Sequence, residues 1–142
     1  SVLIRGTFRC FRPSVQKAIQ HRLDRLTRSI GEAFGITVEL VFNPENPGYP
    51  VTVNDANAAA VATEVATQLV GSSNVNRQPA PSMGSEDFAF MLQQKPGCYV
   101  WIGNGPSEGS CLLHNPHYDF NDDILPTGTA YWIKLVETIL AT

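Results

Sequence analysis

The stretch NPENPGYP, residues 43–50, packs three prolines and a glycine into eight positions. Proline lacks a backbone donor and restricts the residue before it, so neither a helix nor a central strand runs through such a segment. It reads as a loop or hinge. The chain is therefore divided into a block before it and a block after it. At 142 residues it has the length of one ordinary domain or of pieces of two.

Before the hinge, residues 2–10 alternate, with Val2, Ile4, Phe8 and Cys10 on one face and Arg5, Thr7 and Arg9 on the other. That is the pattern of a half-buried strand. Pro13 and Ser14 then open a long helix in which Val15, Ile19, Leu23, Leu26, Ile30 and Phe34 fall at helical spacing, and Gly35 supplies the stop. Lys17, Arg22, Arg25 and Arg28 form a basic stripe, which reads as a solvated face. Ile36 to Phe42 alternate again as a second strand. A strand–helix–strand unit cannot cover its own apolar faces, so partners are expected upstream. The chain also opens on Ser1-Val2-Leu3-Ile4, already apolar and without Met, which we read as a piece of a longer polypeptide.

After the hinge, Asn54 or Asp55 is placed to cap a helix bearing Val61, Val65 and Leu69, ended by Gly71. In MGSEDFAFMLQQK, Ser85 is a good N-cap, and Glu86 and Asp87 suit the positive end of a helix. Pro96-Gly97 ends that helix, and Cys98 to Ile102 read as a strand buried on both faces. A last helix from about Pro126 to Leu140 is expected to bury Trp132, Leu135, Val136 and Ile139.

With a net charge of −3 and no long basic run, the chain is a poor nucleic-acid binder. No apolar run reaches membrane-spanning length, and no signal peptide is visible. Cys10, Cys98 and Cys111 are scattered, without a CxxC spacing. They suit free thiols and a cytoplasmic location. There is no GxSxG elbow, and Gly103-Asn104-Gly105 lacks the third glycine of a dinucleotide loop.

The densest chemistry lies in LLHNPHYDFNDD, residues 112–123. Pro116 separates His114 from His117 and pushes Asn115 out of the helical region, so the stretch is a turn rather than a helical ligand pair. A catalytic zinc takes about three protein ligands. The residues alone leave three readings open: a polar turn, a closed local metal site, or one part of a site completed from outside the chain.

MGSEDFAF, followed by LLHNPHYDFNDDILPTG, resembles the C-terminal end of the aminoacylase and carboxypeptidase-G metallohydrolases, in the branch of hippurate hydrolases and indole-acetyl-amino-acid hydrolases. IRGTFRCFRPSV and GYPVTVND are similar to that family's lid strand and return hinge, and the order is the family's along essentially the whole chain. The resemblance implies an α/β fold. Residues 1–52 would be the second half of a ferredoxin-like lid and dimerisation domain, and residues 53–142 the C-terminal part of a zinc-peptidase-like catalytic domain. It implies two divalent ions (zinc, manganese, cobalt or nickel) and a small N-acylated amino-acid substrate whose amide is cleaved by metal-activated water. It also implies a homodimer formed through the lid. His114 matches the family's last metal ligand, and His117 does not. Asp119, Asn121 and Asp122 match loop-shaping positions. Arg9 matches an arginine that binds the substrate carboxylate, and Gly84 a place of close backbone approach to substrate. No catalytic residue of the family falls within this chain, so the chain alone is expected to be inactive. The competing expectation is a non-catalytic dimerisation or ligand-binding module.

Overall fold

The computed structural model describes residues 1–42, 48–106 and 111–141. The expected hinge therefore lies outside the described residues from 43 to 47. The described residues form four α-helices: α1 (Pro13–Phe34), α2 (Ala56–Val70), α3 (Phe88–Gln94) and α4 (Leu125–Ile139). Two single 3-10 turns accompany them, at Ser72–Asn74 and Asp122–Ile124. The chain folds as two compact units, Ser1–Val53 with Pro81–Gln94, and Asn54–Ala80 with Lys95–Thr142.

In the first unit, α1 starts at Pro13, whose missing N–H is no loss in a first turn. It stops in a Schellman arrangement. Gly35 takes φ 63, its N–H reaches the Glu32 carbonyl at 3.3 Å, and the Ile36 N–H reaches the Gly31 carbonyl at 2.9 Å. This return lays residues 36–38 against α1. A Cβ on Gly31 would stand 2.9 Å from the Ile36 carbonyl oxygen and 3.1 Å from Val38 Cγ2. Gly31 is the buried residue of α1, whereas Phe34 is 77% and Leu26 55% exposed. Asp24 and Arg28, one turn apart, close an ion pair at 2.9 Å on the exposed face. The Arg28 hydrogen bond lowers the Asp24 carboxyl below its ordinary range.

The helix expected to begin at Ser85 begins later. Phe90 N–H bonds to the Asp87 carbonyl and Phe88 N–H to the Glu86 carboxylate, so the first turn is organised by Glu86 and Asp87. Ser85 is engaged elsewhere.

In the second unit, the Asp55 carboxylate accepts from Ala58 N–H at 2.9 Å and starts α2. Gly71, at φ 82, ends it. Helices α2 and α4 pack together around Ala62, Val65 and Tyr131, with Val61, Ala66, Cys98 and Leu135 against them. The buried face of α4 is rotated from the expected one. Tyr131 is buried, while Trp132, Val136 and Ile139 are 63%, 53% and 61% exposed. Helix α4 is apolar around most of its circumference, so periodicity could not select which stripe meets α2.

No β-strand forms among the described residues, so the strands expected at 2–10, 36–42 and 98–102 are not present as ladders. A strand needs a neighbour for its backbone groups, and apolar alternation alone does not supply one. Around residue 99 the neighbour is a side chain. Asn54 donates to the Tyr99 carbonyl at 3.0 Å and accepts from the Tyr99 N–H at 2.8 Å. Val100, Trp101 and Ile102 are exposed rather than buried on both faces.

Candidate functional site

His114 has φ 69, the one non-glycine residue with positive φ among the described residues. It occupies the third position of a turn closed by Asn115 N–H on the Leu112 carbonyl at 3.2 Å. That position normally goes to glycine or asparagine. A second turn follows at once, with Tyr118 N–H on the Asn115 carbonyl at 3.0 Å and His117 N–H on Asn115 Oδ1 at 2.9 Å. Asn115 at the first position and Pro116 at the second are the residues such a turn prefers. Both histidines are exposed, and each has its own turn.

The far end of this loop is tied by two asparagines. Asn104 donates to the Asp119 carbonyl at 2.8 Å and accepts from Asn121 N–H at 2.8 Å. Asn121 Nδ2 donates back to the Asn104 carbonyl at 3.1 Å, and its Oδ1 accepts from Asp123 N–H. Asp119 thus acts here through its carbonyl. Gly103-Asn104-Gly105, unremarkable as a sequence motif, is the anchor of the loop that carries His114.

No group of three or more His, Cys, Asp or Glu side chains comes together among the described residues. The described residues therefore do not make a metal site by themselves. His114 offers an imidazole, a side chain chemically able to serve as a metal ligand.

In the first unit, Arg9 Nε donates to Ser85 Oγ at 3.2 Å, and its Nη1 donates to Thr7 Oγ1 at 3.3 Å. Two sequence motifs separated by 76 residues meet there. Arg9 forms no ion pair with a carboxylate among the described residues. Gly84, next to Ser85, donates its N–H to Ser82 Oγ at 3.1 Å. Its φ is not positive, and a Cβ there would meet only Ser82 Oγ, at 3.4 Å. The sequence singled out Arg9 and Gly84 but assigned Ser85 to a helix cap. Its real partner was hidden because the contact is long-range.

Burial raises the Cys98 thiol above its ordinary value, and burial, then Cys98, raises the Tyr131 phenol. Burial beside the α2–α4 core thus disfavours the Cys98 thiolate, the form that reactivity requires. An open apolar groove of about 310 Å³, lined by Ile102, Phe120, Ile124, Leu125, Gly128, Thr129 and Trp132, contains no ionisable side chain.

The described residues thus place one imidazole on a turn with a left-handed residue and one guanidinium against two hydroxyls. The chain belongs to peptidase family M20/M25/M40, which it matches over residues 10–138. It is 31% identical over 132 residues to a hippurate hydrolase of Campylobacter jejuni, covering 93% of this chain and 33% of that protein. An N-acetylcysteine deacetylase of Bacillus subtilis is 29% identical over 138 residues, 96% of this chain and 34% of the relative. An IAA-amino acid hydrolase of Arabidopsis thaliana is 33% identical over 135 residues, 92% of this chain and 30% of the relative. The chain thus spans about a third of the length of these curated relatives. No solved structure matches it. Among the described residues, no helix is long and apolar enough to cross a membrane.

Proposed function

We propose that the whole protein, of which this chain would be about a third, is a metal-dependent amidohydrolase that cleaves the amide of an N-acylated amino acid. His114 is one ligand of its divalent-metal centre, and Arg9 holds the substrate carboxylate. The observation that carries this reading is the left-handed backbone of His114. A non-glycine residue in that region costs of order 1 kcal/mol and persists where the surroundings over-determine it. An imidazole held at such a cost is a reason to look for a ligand role. Family membership and the names of the relatives, two of which act on hippurate and N-acetylcysteine, support the substrate class.

In this reading residues 1–52 complete a lid that pairs with a second copy. Residues 53–142 complete an α/β catalytic domain, and the protein is cytoplasmic. The exposed apolar residues of α1 and α4 fit such a setting, in which the rest of the protein covers them. When bound, the metal supplies polarisation of the water and of the amide carbonyl. The contribution of this chain is geometric. His114 presents its imidazole from a hydrogen-bonded turn, and Arg9 orients the substrate by its carboxylate end with two parallel hydrogen bonds. The general base would lie outside this chain.

The test is His114→Gly against His117→Ala in the full-length protein. Glycine keeps the left-handed turn and removes only the imidazole. Metal content should fall with hydrolysis of hippurate or N-acetyl amino acids, by at least about 100-fold for His114→Gly, since even outer partners of ligands are worth about 10–100-fold. His117→Ala should retain most of both. Equal losses would indicate a site shared by both histidines. A full-length protein that neither binds metal nor hydrolyses these amides would be the non-catalytic module instead.

A further inference from the structure

We propose that Ser85 is a positioning residue that selects which edge of the Arg9 guanidinium meets the substrate carboxylate. The inference rests on the carboxylate-binding reading of Arg9 given above. A guanidinium can grip a carboxylate through either of two edges: the side, using Nε and one terminal nitrogen, or the end, using both terminal nitrogens. In this chain Ser85 Oγ takes the Nε hydrogen at 3.2 Å, so the side edge is occupied. Thr7 Oγ1 takes one hydrogen of Nη1 at 3.3 Å. Nη1 keeps one hydrogen and Nη2 keeps both, so the donors left for a carboxylate are on the terminal nitrogens and not on Nε.

Both partners are hydroxyls, which hold the group without neutralising it. A carboxylate in the place of Ser85 would consume the charge that the substrate is to meet. Arg9 also lacks an acidic partner among the described residues, which matches this use. Ser85 comes from the segment before α3, far along the chain from the Arg9 segment, so it fixes the guanidinium against an element other than its own. Thr7, two residues from Arg9, cannot do that.

The test uses the full-length protein and two probes, hippurate and hippuramide, which differ only at the carboxylate. Binding is measured by calorimetry after chelation of the metal, so that no turnover intrudes. Ser85→Ala should weaken hippurate about 3–10-fold, the range of one modest hydrogen bond. It should leave hippuramide within about 2-fold. Ser85→Thr, which keeps a hydroxyl, should recover most of the loss. With metal restored, Ser85→Ala should raise KM for hippurate with kcat little changed, the signature of lost uniform binding. Unchanged hippurate binding in Ser85→Ala, or equal weakening of both probes, overturns the role of Ser85. Arg9→Lys separates the two levels. If Arg9→Lys or the wild type shows that the hippurate preference does not depend on Arg9, or if wild type binds neither probe, the carboxylate reading fails. If Arg9→Lys abolishes the preference while Ser85→Ala preserves it, only the inference about Ser85 fails.

Discussion

The two units hold their helices by different means. In the second, α2 and α4 share side-chain packing, with Val65 fully buried and Tyr131 at 7% exposure. In the first, α1 is longer, with 22 residues against 15, yet what it buries is a glycine beneath the returning backbone at Ile36. One unit is a small hydrophobic core. The other buries Gly31 of α1 and Ala89 of α3 and leaves most of the apolar face of α1 open. The difference teaches that amphipathic spacing states a requirement for a partner without naming it. Helix α2 finds one in α4, and most of the apolar residues of α1 remain exposed.

The sharpest way to break this contrast is Val65→Ala. It removes two buried methyl groups from the centre of the α2–α4 contact and should cost about 2 kcal/mol, transfer and cavity terms together. Denaturant unfolding measures it, and a cost near zero would mean that the second unit has no packed core. Gly31→Ala probes the first unit. Alanine gains up to about 1 kcal/mol of helix propensity. The new Cβ, however, would sit 2.9 Å from a backbone oxygen, which cannot rotate away. Displacing it should cost about 1–3 kcal/mol and leave the variant about 1 kcal/mol less stable. A stabilised variant would show that the return at residues 36–38 does not press on α1.

Asp55→Ala should cost about 1 kcal/mol, the worth of an N-cap, with hydrogen exchange rising first at the start of α2. The smallest effect concerns alkaline pH. Cys98 and Tyr131 have folded-state values raised above their ordinary 9.0 and 10.0. The native state then holds protons that the unfolded chain releases, so stability is full below about pH 9 and declines as pH rises through the raised folded values. Cys98→Ser should flatten that decline in a pH series of thermal melts, while the first unit is unaffected. A decline of the same size in Cys98→Ser would assign it to other groups.

How much of this was legible beforehand follows from the range of each interaction. The extents of α1 and α2 were readable because Pro13, Gly35, Asp55 and Gly71 act within a turn of their own positions. The turn around Pro116 was readable for the same reason. The buried face of α4 was not, since Tyr131 and Trp132 are neighbours of equal apolar weight and only the position of α2 distinguishes them. The strands do not form among the described residues, because alternation shows that a segment could pair and leaves open what it pairs with. At the candidate site, His114 was visible as a residue type, but its left-handed backbone was not. Ser85 was visible as a hydroxyl near a helix start, and that local role concealed its bond to Arg9.

The path of the chain between the units has a practical consequence. It passes from one to the other three times, after Val53, after Ala80 and after Gln94. Neither unit is therefore a continuous string of residues. A cut after Val53 would deprive the first unit of Pro81–Gln94, and with it the hydroxyl that faces Arg9. Residues 1 to 53 made alone would lack that piece, whereas residues 54 to 142 carry the whole second unit, so recovery of the first unit would be a matter of fragment complementation. No single point of recombination preserves both units, because the first spans residues 1 to 94 and the second residues 54 to 142, so the two are inherited as one block despite the proline-rich break between them in sequence.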